Sequence, residues 1–153
     1  ADAQAARELL VDASETDRQM LRAELAEAEA DLARLEEDLR LLMLPKDPND
    51  GKAVIMEIRG AEGGEEGNLF ARDLFEMYQG YAGRMGWKLE VLGSDASAMG
   101  GFNDITFLLK GEGVWPRMKH EGGPHRVQRV PATEAQGRIH TSTATVAVLP
   151  EAA

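Results

Sequence analysis

The sequence contains no cysteine. That excludes disulfides and thiolate metal sites, and it fits a reducing compartment. No stretch approaches the roughly 20 apolar residues that a membrane-spanning helix needs. The opening residues, Ala1-Asp2-Ala3, supply neither the basic nor the apolar region of a secretory signal. A cytoplasmic protein without a membrane partner is the expectation. Nucleotide hydrolysis has no motif to rest on, because there is no G-x-G-x-x-G and no Walker lysine. His120, His125 and His140 lack the H-E-x-x-H spacing of a metal site, and no Ser-His-Asp or paired-carboxylate constellation stands out. The residues therefore predict no metal, no cofactor and no enzyme active site. Basic side chains are also scarce: 17 Lys and Arg against 27 Asp and Glu leave a net charge of −10. Such a balance works against phosphate binding. The distribution is uneven, however. Between residues 117 and 140 five basic side chains stand against two acidic ones, with all three histidines among them. An RNA contact is expected there if anywhere.

A chain of 153 residues, 43% hydrophobic and 29% charged, can hold one medium-sized core with a smaller appendage. Residues 1–44 read as a helical arm. Within it Leu21, Leu25, Ala28, Leu32, Leu35, Leu39 and Leu42 recur at alternating steps of four and three, the spacing of a heptad seam. Residues 4–13 predict a short helix before it, and Thr16 with Gln19 resembles a capping box that starts the second helix near Asp17. Three heptads cannot bury their seam alone, so the partner is either the earlier helix, antiparallel, or a second chain. Pro45, Pro48 and Asp50-Gly51 make residues 45–52 a linker. Residues 53–153 form the next domain.

In that domain Val54, Met56 and Ile58 alternate with Ile55, Glu57 and Arg59, predicting a strand buried on one face. Residues 65–85 predict a helix that buries Phe70, Leu74, Met77, Tyr81 and Met85 and ends at Gly86. A second strand carries Trp87, Leu89 and Val91, a Gly- and Ser-rich loop follows at 93–101, and a third strand carries Ile105, Phe107 and Leu109. Two more strands are expected at 125–130 and 139–149, with a polar loop between them. The fold class is α+β: a helical coiled-coil arm followed by a mostly antiparallel sheet packed by one long helix.

Two segments could carry chemistry. Glu62-Gly63-Gly64-Glu65-Glu66 joins a strand to a helix, where glycines allow close backbone approach and free amides can meet a ligand. Glu65 and Glu66 would repel an anion, so a neutral base edge suits the turn better than a phosphate. The plainer alternative is a turn with well-placed helix charges. In the second segment, from His125 to Ser142, one strand face carries His125, Val127 and Arg129 and the other Arg126, Gln128 and Val130. Gln, Thr and His offer donors, acceptors and a stacking plane for bases, and arginines offer phosphate contacts. Pro131 would stiffen the loop and aim Thr133. The plainer alternative is a hairpin with an exposed polar loop.

The motifs themselves are familiar. Residues 44–50, the strand and Gly-Gly-Glu-Glu turn at 53–66, Leu69-Phe70-Ala71-x-Asp73-Leu74-Phe75-x-Met77-Tyr78, residues 125–133 and Gln136–Ser142 together resemble the bacterial class I peptide chain release factors. Pro131-Ala132-Thr133 looks like the P-x-T tripeptide of the type-1 branch, which reads UAA and UAG. The resemblance implies that Gly63 and Glu66 hold the first-position uridine. It implies that Thr133 contacts that uridine and the second purine, and that His140 packs between the second and third bases. Gln128 and Thr141 would read the third base, and Arg126, Arg129 and Arg138 would touch phosphate or ribosomal RNA. The implied partners are the ribosome, at its decoding centre and stalk base, and the mRNA stop codon. For a full-length protein they include a release-factor methyltransferase and a recycling GTPase.

Three departures from the family pattern stand out. Gly122-Gly123-Pro124 replaces the usual Ser-Gly-Gly ahead of His125, the resemblance implies that the first helices of the family's N-terminal domain are missing, and no Gly-Gly-Gln exists. In the family that tripeptide belongs to an inserted domain that promotes ester hydrolysis, after which the chain returns to the sheet. The expectation is thus a codon-reading domain incomplete at its C-terminus, without enzymatic activity of its own. Two alternatives stay open: a codon-independent ribosome rescue factor, which would not need the P-x-T loop, and a coiled-coil adaptor that binds protein.

Overall fold

A computed structural model describes residues 2–152 and divides the chain into two compact units that meet between Lys46 and Asp47. The first unit is a helical hairpin of α1 (Asp2–Asp12) and α2 (Glu15–Leu42). Alanine, leucine, glutamate and arginine dominate both, all strong helix formers. The second helix begins two residues before the expected Asp17. Ser14 is the extended N-cap, and its carbonyl accepts the N–H groups of Asp17 (3.1 Å) and Arg18 (3.0 Å). The side chain of Thr16, half of the expected capping box, lies outside the described residues. The short α1 covers the first part of the seam: Leu21, Leu25 and Ala28 are half-buried, and Arg7 pairs with Glu29 at 2.5 Å. Further along, Leu32, Leu35, Leu39 and Leu42 stay 49–71% exposed. The earlier helix therefore supplies only part of the partner that the heptads call for.

The second unit is a five-stranded sheet, in the order β2-β3-β1-β5-β4, with every pairing antiparallel. Its elements are β1 (Val54–Glu62), α3 (Glu65–Met85), β2 (Lys88–Ala96), β3 (Phe102–Lys110), α4 (Val114–Met118), β4 (Gly123–Arg129) and β5 (His140–Pro150). The alternation read from residues 54–58 is real, because Val54, Met56 and Ile58 are fully buried. They form one layer of the core with Ile105, Phe107, Leu109, Ala144 and Val146, and α3 supplies the other. Phe75 meets Phe107 edge-on at 5.2 Å and Phe102 at 5.8 Å. Gly86 closes α3 in the left-handed region (φ 71°), where a Cβ would be strained.

Three expectations need correction. The buried stripe of α3 runs through Phe70, Ala71, Leu74, Phe75, Tyr78 and Ala82, and Met77 faces out. Tyr78 takes the inner position because its hydroxyl reaches Glu121 at 2.8 Å, which satisfies its one polar group. The strand β2 continues through Gly93 to Ala96, so the loop is a tight turn and not residues 93–101. Finally, Gly113 (φ 71°) starts a helical turn at 114–118, between the third and fourth strands, where no helix was expected. Pro116 sits in its first turn, where a missing N–H costs nothing. This turn holds the linker: the Trp115 indole donates to Asp47 Oδ2 at 2.9 Å, as does Lys119 at 3.4 Å. Trp115 first, and then the Asn49 N–H, keep the Asp47 carboxyl below its ordinary range.

Phe107→Ala should therefore cost about 3–5 kcal/mol, the usual loss for a fully buried phenylalanine. Leu39→Ala, on the exposed part of α2, should change stability by less than about 0.5 kcal/mol. Urea unfolding followed by the fluorescence of Trp87 and Trp115 measures the first, and far-ultraviolet circular dichroism the second.

Candidate nucleic-acid interface

The two segments singled out in the sequence meet at one end of the sheet. The β4–β5 hairpin is in register so that Gln128 faces Thr141 and Arg129 faces His140. Strand side chains alternate, so these two pairs project from opposite faces. Gln128 and Thr141 lie on the outer face, both exposed, with 3.4 Å between Gln128 Nε2 and Thr141 Oγ1. Arg129 and His140 lie on the face toward α3.

The turn at Gly63-Gly64 comes close to the start of β5. A Cβ on Gly63 (φ 101°) would lie 2.6 Å from Ser142 Oγ, and Ser142 is itself 2% exposed. Only glycine fits this approach without movement. The N-terminus of α3 is thereby set beside the hairpin.

Neither carboxylate of the helix start faces outward freely. Glu65 accepts from the Ser97 hydroxyl and from the Met99 N–H at 3.0 Å, and these bonds, Ser97 foremost, hold its carboxyl below the usual range. Glu66 is 4% exposed and takes Arg129 Nε on Oε1 at 2.5 Å. Its Oε2 is buried with no hydrogen-bond partner among the described residues. At the helix start itself what is offered outward is backbone, not carboxylate; Glu62, ahead of the two glycines, is exposed. The Arg129 guanidinium also reaches Asp73 Oδ2 at 2.5 Å, and Asp73 and then Glu66 stabilise its charged form. Glu66, Leu69, Asp73, Arg129, Val130 and Ala132 together line a shallow cleft.

Between the strands, the loop is built around a residue that the sequence reading passed over. The Glu134 N–H donates to the Pro131 carbonyl at 3.0 Å, which makes a turn with Ala132 and Thr133 at its exposed tip. Pro131 is buried beneath it. The Glu134 carboxylate accepts the Gln136 N–H at 2.8 Å and pairs with His140 Nε2 at 3.0 Å and Arg138 at 3.3 Å. One carboxylate thus ties both legs of the loop together. Its only signal in the sequence is an acid three residues after a proline, too common to single out. The three arginines differ: Arg126 lies exposed on the outer face opposite Thr143, Arg138 leans on Glu134 with a 67% exposed side chain, and Arg129 is turned inward.

Residues 1–146 match the family model described as PCRF domain. Over 146 residues the chain is 53% identical to the peptide chain release factor 1 of Clostridioides difficile, covering 95% of this chain and 41% of that protein. Over 134 residues it is 58% identical to the peptide chain release factor 1 of Dictyoglomus thermophilum, covering 88% of this chain and 36% of that one. Among solved structures it resembles RF2 of Thermus thermophilus, with a TM-score of 0.69 and 33% identity over 99% of this chain and 42% of that chain. The chain spans roughly two fifths of the length of these relatives. No helix among the described residues is long and apolar enough to cross a membrane.

The Gln136 N–H foremost, with Arg138 and His140, holds the Glu134 carboxyl below its ordinary value of 4.5. A lowered folded-state pKa contributes stability that is present above the ordinary value and lost as pH falls through the lowered one. Protection of the Gln136 amide in hydrogen exchange should therefore be full near neutrality and fall in that acid range. Glu134→Gln should remove this pH step, and Glu134→Ala should lower the protection at every pH. A wild-type chain without the step would show that the carboxylate does not hold the loop.

Proposed function

This chain belongs to the PCRF-domain family, and we propose that its second unit reads UAA and UAG stop codons in the ribosomal decoding site, as the recognition part of a class I peptide chain release factor. The observation that carries the reading is the convergence of an exposed Ala132-Thr133 tip, His140, the Gln128–Thr141 pair and the Gly63 turn at one end of the sheet. Those are residues of the two segments with base-reading chemistry, brought together from opposite ends of the domain's sequence.

The first uridine is held by the backbone around Gly63 and Glu66, with the Glu66 side chain supporting from within. Pro131 and Ala132 place Thr133 against that uridine and the second purine. His140 stacks between the second and third bases. A ring on one face of the hairpin and a donor–acceptor pair on the other suit the task of separating the third base from its neighbours. Gln128 and Thr141 then read it as adenine or guanine, since an amide and a hydroxyl can each donate or accept. Arg126 and Arg138, exposed at the two legs of the loop, serve phosphate or ribosomal RNA.

The partners in this reading are the small-subunit decoding centre and the stop codon, with the helical arm directed to the stalk base. The location is the cytoplasm. For a full-length release factor the reading adds a release-factor methyltransferase and a recycling GTPase. Peptidyl-tRNA hydrolysis is not assigned to these 153 residues, which contain no Gly-Gly-Gln.

Thr133→Ala and His140→Ala should each weaken the preference for UAA-programmed over sense-programmed ribosomes by about 1–3 kcal/mol, the scale of one lost base contact. Leu32→Asp, in the arm, should leave that preference intact. Unchanged discrimination in both loop variants, measured by equilibrium binding, would sink the assignment.

A further inference from the structure

Arg129 is the last residue of β4, two positions before Pro131, and the reading above needs no contact between it and RNA. Its guanidinium is committed elsewhere. Nε meets Glu66 Oε1 and Nη1 meets Asp73 Oδ2, both at 2.5 Å. Glu66 and Asp73 stand seven residues apart, two turns along one face of α3, so a single planar fork bridges strand and helix. Glu66 is buried and uncompensated apart from this contact, which makes the pairing costly to break. The strand end that launches the Pro131–Glu134 turn is therefore tied to the same helix start that carries Gly63 and Glu66.

We propose that Arg129 is a positioning residue for the first codon base, setting the gap between the N-terminus of α3 and the Ala132-Thr133 tip. The inference rests on the stop-codon reading and names a residue through which that reading acts. The gap between the helix start and the tip is where a first-position base would be gripped from two sides. Gln128 and Thr141 lie on the other face of the hairpin, so third-base reading does not pass through the fork. A lysine at 129 would keep the charge but present one compact ammonium, unable to hold two carboxylates in a fixed plane.

The test is equilibrium binding of the whole chain to ribosomes programmed with UAA, with CAA (first base changed) or with UAC (third base changed). Arg129→Lys and Asp73→Asn are the variants. Asp73 has a 48% exposed side chain, so its neutral replacement leaves a folded domain even if the lysine variant does not fold. Glu76→Gln, which alters another α3 carboxylate paired with Arg72, is the control. The UAA-over-CAA ratio should fall about tenfold in each variant, one charge-assisted contact's worth, and stay at the wild-type level in the control. The UAA-over-UAC ratio should not change. Equal loss of affinity on all three codons, or both ratios intact in folded variants, would overturn the proposal and leave the fork a stabilising contact only. A wild-type chain that does not distinguish UAA from CAA would overturn the decoding reading itself, and the role of Arg129 with it.

Discussion

The pairing of β4 with β5 is the constraint on which the rest of the site depends. It puts Gln128 opposite Thr141 and Arg129 opposite His140, and it fixes which of them share a face. The pairing is not set by the hairpin loop, which is ten residues long and lies between Arg129 and His140. It is set by burial further along β5. Ser142, Ala144 and Val146 point into the core, and β5 is locked on its other side to β1 from Glu62 to Val54. A slip of one residue would turn Thr141, Thr143 and Thr145 inward and expose Ala144 and Val146. It would also move His140 to the outer face and break the fork of Arg129 into α3. The core thereby specifies the geometry of side chains that lie outside it.

Charge is the second theme. A net charge of −10 is an unpromising frame for binding RNA, yet most acids nearest the site are already engaged, the exposed Glu62 excepted. Glu65 is bound by Ser97 and Met99, Glu66 and Asp73 share Arg129, and Glu134 gathers Gln136, Arg138 and His140. Internal donors offset these carboxylates before any ligand arrives. What remains outward at this end is mainly hydroxyl, amide, imidazole and backbone, with Arg126 and Arg138 at the flanks and the Glu62 carboxylate before the Gly63 turn. That is a surface suited to base edges more than to bulk phosphate. The excess acid sits largely in the helical arm, which carries twelve acidic and five basic residues between 1 and 44.

Much of this was legible beforehand. The alternation at 54–58, the helix from 65 to its stop at Gly86 and the two-faced character of 125–129 all appear as read, because each has a strong local signature: period two, period 3.6 and a terminal glycine. The outward half of β2 was not legible. It is an edge strand with nearly every residue exposed, so it carries no alternation, and Gly93 and Ser94 read as loop. Met77 and Tyr78 exchanged places because steps of three and four are equally helical, and only the distant Glu121 decides between them. The inward turn of Arg129 had no local signal, since its partners lie 63 and 56 residues away. Glu134 was missed for a different reason: its partners Gln136, Arg138 and His140 are only two, four and six residues on, but an acid in a polar loop after a proline is too common to single out. For Tyr78 and Arg129, long-range pairing, not propensity, is what the sequence withheld.

The most direct test is binding of the unmodified chain to ribosomes that carry UAA, UAG, UGA or a sense codon in the decoding site. Comparable affinity for UAA and UAG, with UGA and the sense codon clearly weaker, is the result this account predicts. Equal affinity for all four, or no binding to any, would contradict it: the chain would then share the family's fold without reading a codon by itself.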